Sequence, residues 1–335
     1  MKEFAYVRAP GTAEAQALVA ERPDATFLGG GTNLVDLMKL GVAQPGLLVD
    51  VSRLPLDTVE HRPDGSALVG ATVRNGALAG DEGVRARFPV LAQALLSGAS
   101  GQLRSQATLG GNLLQRTRCG YFQDTTKPCN KREPGTGCPA RGGVHRDMAV
   151  LGTSEHCIAA HPSDMAVALV ALDAVAHLRR PDGAARTVPV EELYLPPGDT
   201  PHRETVLERG ELITAVELPA PPTGAAMRYR KVRDRWSYAF ALVSVAAVVD
   251  LADDGTLADI RIAFGGVGTR PWRARAAEAA LRGRRPGAGE LGAAAAAEFA
   301  AARTGPDNAF KVGLAADLLR AVVLDLTGRA ARKDR

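Results

Sequence analysis

Residues 25–34 read Ala25-Thr26-Phe27-Leu28-Gly29-Gly30-Gly31-Thr32-Asn33-Leu34. A short β-prone run passes directly into three glycines and then into an amphipathic stretch, Leu34 to Leu40, closed by Gly41. That order predicts a strand, a tight loop and a helix. Consecutive glycines let the backbone approach a ligand closely and adopt positive φ. Their N–H groups can form an anion-binding nest, and a following helix start adds partial positive charge. A pyrophosphate suits such a nest, with Thr32 and Asn33 as side-chain partners. The loop is not a Rossmann fingerprint, because Leu34 holds the place of the third glycine, and no Gly-Lys-Ser/Thr follows to make a P-loop. Its plain alternative is a flexible turn.

Outward from this loop the pattern continues as alternating elements. Residues 3–8 predict a strand, and Thr12 caps an Ala-rich helix to Arg22. Ala25–Leu28 and Leu47–Val51 predict two more strands. This βαβαβ order implies a small parallel sheet with right-handed crossovers. Farther on, Ala67–Ala71 reads as a strand and Pro89–Leu96 as a helix. Pro162 opens a helix to Leu172, capped by Ser163 or Asp164 and apolar nearly all round, hence buried. Pro181-Asp182-Gly183 marks a hairpin.

The Pro-rich stretch Leu218–Pro222 predicts a domain boundary. Beyond it, Met227–Arg233, Leu242–Leu251 and Asp259–Phe264 read as strands, the last two joined at Asp254-Gly255. Residues 273–282, 290–303 and 308–327 read as helices, and there is no internal repeat. The expected organisation is a domain over 1–220, with subdomains of about 1–55 and 56–220, and a second domain over 225–330.

Among 335 residues aromatics supply only 4%, so the core must rest on Ala, Val and Leu. The net charge of +4 comes from scattered Lys and Arg, with no run that reads as a nucleic-acid tail. The longest apolar run, Tyr238 to Val249, is too short to span a bilayer. The opening residues lack a signal-peptide pattern. The expectation is a chain with no membrane span and no export signal of its own, either cytoplasmic or periplasmic by co-export with a signal-bearing partner.

A second glycine motif, Thr108-Leu109-Gly110-Gly111-Asn112, lies far along the chain. Alone it reads as a β-bulge with an Asn turn. Paired with the first, it resembles the FAD-binding domain of the vanillyl-alcohol-oxidase type, and more closely the flavin subunits of molybdenum hydroxylases of the xanthine dehydrogenase type. His161-Pro162-Ser163-Asp164-Met165-Ala166 and Lys231-Val232-Arg233-Asp234-Arg235-Trp236-Ser237-Tyr238-Ala239 resemble the same family. The match is closest to the flavin subunits of bacterial periplasmic aldehyde oxidoreductases and weakest over 273–303. It implies an α+β fold. A small parallel sheet and a mixed or antiparallel subdomain would bind FAD, and a three-stranded antiparallel sheet with a helical bundle would follow.

By this resemblance Phe27, Leu28, Gly29, Gly30, Gly31, Thr32, Asn33 and Leu34 hold the FAD pyrophosphate, and Thr108, Gly111 and Asn112 complete the cradle. Asp164 would hydrogen-bond the dinucleotide, a role compatible with a plain N-cap. Ile213 and Lys231 would sit near the flavin, where the lysine charge would favour a reduced, anionic ring. A solvated strand lysine is the ordinary alternative. Tyr238 would pack near the isoalloxazine or, alternatively, in the core. No residue stands out as a general base.

Four cysteines, Cys119, Cys129, Cys138 and Cys157, follow C-x9-C-x8-C-x18-C within an aperiodic segment, 116–157. The spacing matches neither zinc-finger pairs nor bacterial ferredoxin runs. By spacing alone a [4Fe-4S] cluster, a zinc ion and two disulfides all stay open. Seven Lys or Arg and only two acids lie between 116 and 146. That balance stabilises a negatively charged cluster and raises its potential. The resemblance implies an inserted [4Fe-4S] loop with all four cysteines as ligands.

The function implied by the resemblance is electron transfer within a heterotrimer. Aldehyde oxidation to a carboxylic acid would occur at a molybdopterin on a large partner subunit. Electrons would then pass through [2Fe-2S] clusters on a small partner to FAD here and on to an external acceptor. A stand-alone flavoprotein oxidase and a zinc-stapled docking subunit are the alternatives from other classes.

Overall fold

In the computed structural model, which describes residues 1–333, the first glycine loop sits at the rim of a three-stranded parallel sheet. Its elements are β1 (Ala5–Arg8), α1 (Thr12–Glu21), β2 (Ala25–Leu28), α2 (Leu34–Lys39) and β3 (Leu47–Asp50), with strand order β1-β3-β2. The central strand β3 is buried throughout because both neighbours pair with it, Val49 opposite Val7 and Phe27. Ala15 and Val19 of α1 cover one face. Thr12 does not cap α1. Gly11 takes the extended cap conformation and Thr12 is already the first helical residue, with no side-chain cap bond.

The middle layer is a five-stranded antiparallel sheet, order β4-β5-β8-β6-β7. Its strands are β4 (Val59–His61), β5 (Ala67–Gly70), β6 (Val175–Arg179), β7 (Ala185–Pro189) and β8 (Leu212–Leu218). Between β5 and β6 come α3 (Asn75–Gly80), α4 (Glu82–Arg87), α5 (Pro89–Ser97), α6 (Gly101–Gln106), α7 (Leu109–Leu113), α8 (Gly120–Gln123) and α9 (Asp164–Ala171). Every residue of α9 is buried, as its all-round apolar sequence predicts. Its cap is Ser163, whose Oγ accepts the Ala166 N–H at 3.0 Å; Asp164 is the first helical residue. The β6–β7 hairpin turns at Gly183, φ 87°.

The last sheet has order β12-β11-β10-β9, from β9 (Ala226–Val232), β10 (Val243–Leu251), β11 (Leu257–Gly265) and β12 (Trp272–Arg273). The three expected strands are thus joined by a fourth, too short at two residues to leave a period-2 signal. Behind it lie α10 (Arg275–Leu281), α11 (Ala288–Glu298) and α12 (Phe310–Lys333). Strand β10 is apolar on both faces for a physical reason. Val243, Val245, Ala247 and Val249 pack toward these helices, while Ala246 and Val248 join the core of α5 and α9. This sandwiching brings β9, and with it Tyr229 and Lys231, against the N-terminus of α9.

Candidate functional site: two glycine loops and a cysteine cavity

The two glycine motifs touch. A Cβ at Gly30 would lie 2.0 Å from the Gln106 carbonyl oxygen, and one at Gly29 would lie 2.9 Å from Thr108 Oγ1. Only bare backbone fits this crossing. Gly31 turns the chain at φ +73°. Thr108 caps α7, its Oγ1 accepting the Gly111 N–H at 3.2 Å, so the expected bulge is a capped helical turn instead. Asn33 Oδ1 accepts the Arg116 N–H at 2.9 Å, while Asn33 Nδ2 is buried without a protein partner. A buried amide left unpaired costs free energy unless a ligand or water meets it.

Two cavities adjoin this crossing. The first, about 540 Å³, is lined by Phe27, Gly29 to Leu34, Thr108, Gly111 and Ile213 among others. The second, about 340 Å³, is lined by Asn112, Asp164, Lys231 and Tyr238. Thr32, Asn33 and Gly111 line both. Each volume falls within the roughly 300–1,000 Å³ of ligand sites. An elongated, two-lobed ligand with an anionic waist at the glycine crossing fits this shape. Leu28 lines neither cavity; its side chain lies under Gly31. Ile213 and Lys231, both expected near one ring system, line different lobes.

The second lobe has a polar floor. Lys231 is not a solvated strand lysine, since its Nζ lies 2.7 Å from Asp164 Oδ2 and also donates to Ser97 O. Tyr229 donates its hydroxyl to Asp164 Oδ1 at 2.5 Å. Burial, then the adjacent carboxylate, pushes the Tyr229 phenol well above its ordinary pKa. Ser163 Oγ donates to Asn112 Oδ1 at 2.7 Å, tying the cap of α9 to the second glycine motif. Asp164 is the one carboxylate among the described residues lining this lobe.

Tyr238 is not a core aromatic. It is 57% exposed, stands at the lip of the second lobe and carries φ 53°, a left-handed conformation strained for an aromatic residue. Arg235 donates to its carbonyl and lies over its ring at 5.6 Å. Tyr229 and Asn75 were not singled out from sequence. Tyr229 shares the Lys231 face of β9, so the i, i+2 spacing of a strand was a usable signal. Asn75 Oδ1, buried and unpartnered beside the second lobe, left none.

The segment 116–157 stays irregular except for α8 and one 3₁₀ turn at Pro139–Arg141. It has its own small core around Phe122, Ala140 and Met148. Cys119, Cys129, Cys138 and Cys157 all line one small cavity within it, and all are free thiols, so the two-disulfide alternative left open by the spacing is not adopted. Burial pushes the Cys119 thiol up to about 11 and raises those of Cys138 and Cys157. Among the described residues no three His, Cys, Asp or Glu side chains converge tightly enough to hold a single metal ion. Arg116 and Lys131 both reach Glu204, at 2.5 and 3.2 Å, and so fasten the segment to the loop before β8.

Comparison with known proteins agrees with this geometry. Residues 2–221 match the FAD binding domain in molybdopterin dehydrogenase, and residues 227–326 match the CO dehydrogenase flavoprotein C-terminal domain. The chain is 52% identical to the aldehyde oxidoreductase FAD-binding subunit PaoB of Escherichia coli K12, over 98% of this chain and 100% of that one. It is 29% identical to the carbon monoxide dehydrogenase medium chain of Afipia carboxidovorans, over 84% of this chain and 80% of that one. A solved carbon monoxide dehydrogenase from Hydrogenophaga pseudoflava, in a form lacking the Mo-pyranopterin moiety, matches with TM-score 0.76 at 26% identity, covering 98% of both chains. The two-lobed groove, the three sheets and these likenesses together place the chain in the family of FAD-binding subunits of molybdenum hydroxylases.

Proposed function

We propose that the chain is the electron-transfer subunit of a molybdenum-dependent aldehyde oxidoreductase. The supporting observation is the groove whose waist is two glycine backbones in contact, with the buried Asn33 Nδ2 awaiting an acceptor. A pyrophosphate supplies that acceptor. Gly29 to Asn33 hold it from one side, Thr108, Gly111 and Asn112 from the other, with Ile213 in one lobe and Asp164, Lys231 and Tyr238 around the other. FAD, when bound, supplies one- and two-electron transfer. The floor of the second lobe suits that task, because its one carboxylate is engaged by Tyr229 and Lys231 and no free base stands ready for substrate C–H chemistry.

Aldehyde as the substrate class rests on the 52% likeness to the Escherichia coli subunit. Oxidation to the acid belongs to a molybdopterin-bearing large subunit, and a [2Fe-2S] subunit connects it to this chain in a heterotrimer. An external acceptor takes the electrons onward. The four cysteines around one cavity hold a [4Fe-4S] cluster. The support is that all four thiols line this one cavity in a segment where Lys and Arg outnumber acids, a balance that suits a negatively charged cluster. Export to the periplasm would follow a signal-bearing partner.

The test is anaerobic purification with the co-expressed partner subunits. The expected result is a flavin spectrum, about four irons on this chain, and molybdenum on the large subunit. Protein that remains colourless after reconstitution with FAD would overturn the reading.

A further inference from the structure

The waist of the groove depends on which way the Asn33 amide faces. Asn33 Oδ1 accepts the Arg116 N–H at 2.9 Å. A backbone N–H pairs with the oxygen of an amide and not with its nitrogen, so this bond fixes the flip and leaves the unpartnered Nδ2 for a ligand. Asn33 makes no side-chain cap bond to α2, so its own helix start does not set the flip. The placement of the Arg116 backbone does.

Arg116 is itself held from the cysteine segment. Its guanidinium carbon stands 4.5 Å over the ring of Phe122, its Nε donates to Glu204 Oε1 at 2.5 Å, and its Nη2 donates to the Lys131 carbonyl at 3.4 Å. Glu204 Oε2 takes the Lys131 ammonium at 3.2 Å, so one carboxylate ties two cations of the segment together. Phe122 is buried, and Phe122 and Lys131 both line the cysteine cavity. A guanidinium is a rigid planar fork that stacks and bonds at once, so these partners fix its place narrowly. Two residues on, Arg118 Nη1 donates at 2.7 Å to Asp36 Oδ2 in the first turn of α2, which keeps the chain running beside the glycine loop. From Arg116 to Cys119 the chain thus passes from the flavin waist to the cysteine cavity.

We propose, on the reading that FAD fills the groove, that Arg116 is a positioning residue for the flavin. The wall of the cysteine cavity sets where its guanidinium lies, the guanidinium sets where its N–H lies, and the N–H turns Asn33 Nδ2 toward the groove. Order in the cysteine segment is thereby coupled to flavin affinity, and such coupling runs equally in both directions. Phe122 and Glu204 line neither lobe, so their effect on the flavin runs through Arg116. Arg116 lines the first lobe and is therefore left unchanged in the test. The link holds whatever group the four thiols bind.

The experiment titrates FAD into the purified complex after removal of its flavin and follows flavin fluorescence. Glu204→Gln keeps the shape of the side chain and loses its charge, while Phe122→Leu loses the ring. Each should weaken FAD binding about tenfold. In an Asn33→Ala background the same changes should alter affinity by no more than about twofold, because the amide they aim is gone. The phosphorus NMR resonances of bound FAD, identified by their loss when flavin is removed, should shift in Glu204→Gln in the same direction as in Asn33→Ala. Wild-type affinity in both Glu204→Gln and Phe122→Leu, or an undiminished loss in the Asn33→Ala background, would overturn the proposal. Wild-type complex that takes up no FAD would instead overturn the cofactor assignment on which it stands.

Discussion

Lys231 and Asp164 form an ion pair with side chains only 3% and 9% exposed, and the pair joins strand β9 of the last sheet to helix α9 of the middle layer. Two charges this far from water persist only while paired, and removing one typically costs about 3–5 kcal/mol. Lys231→Met should therefore lower stability by several kcal/mol and lower flavin retention with it. Urea unfolding and flavin content check both. A Lys231→Met variant as stable as wild type would show that the pair does not hold the two layers together.

Gly30 carries the backbone crossing of the two glycine loops. Gly30→Ala should push the 106–108 segment away, because its Cβ would meet Gln106 O at 2.0 Å. The expected outcome is loss of bound FAD, measured by absorbance after desalting. Gly292→Ala on α11, where nothing lies within 4 Å, serves as the control and should retain the cofactor.

Cys129→Ser tests the cysteine cavity. Iron content of the anaerobically purified complex should fall to near zero while flavin remains. Limited proteolysis should cut within 116–157, whose small core is built partly from the cysteines themselves. Unchanged iron would remove Cys129 from the ligand set.

Lys311 is buried in α12 and donates to Met148 O at 2.9 Å and Gly266 O at 2.8 Å, pinning the end of the cysteine segment to the last sheet. Burial lowers its pKa to about 8 from 10.5. The folded chain thus releases this proton before the unfolded chain does. Between those two values the unfolded state binds more protons, so stability contributed by this group rises with pH, by up to about 3 kcal/mol. Denaturation curves from pH 7 to 10.5 should show that rise in wild type and lose it in Lys311→Met.

Ser163→Ala should cost about 1 kcal/mol through the lost cap of α9. It also releases Asn112 Oδ1 from its 2.7 Å partner at the glycine crossing. Weaker FAD binding should therefore accompany the lower melting temperature.

Local sequence carried the elements well. The strand Ala25–Leu28 stands where the β-prone run stops at glycine, and the all-round apolar stretch after Pro162 is a wholly buried helix. Boundaries slipped where backbone geometry overrode residue type, as at Gly11 and Thr12. The two-residue strand β12 was too short to show a period.

What the sequence by itself determined was the presence of two glycine loops, the run of elements and the clustering of four cysteines in one aperiodic segment. Those are local properties, written in residue types and spacings along the chain. Tertiary structure alone decided that Gly30 lies on Gln106 and that the cysteines share a cavity. It also decided that Lys231 is buried against Asp164 instead of solvated. Such pairings join residues far apart in sequence, and they depend on which faces of three sheets are covered when the layers close.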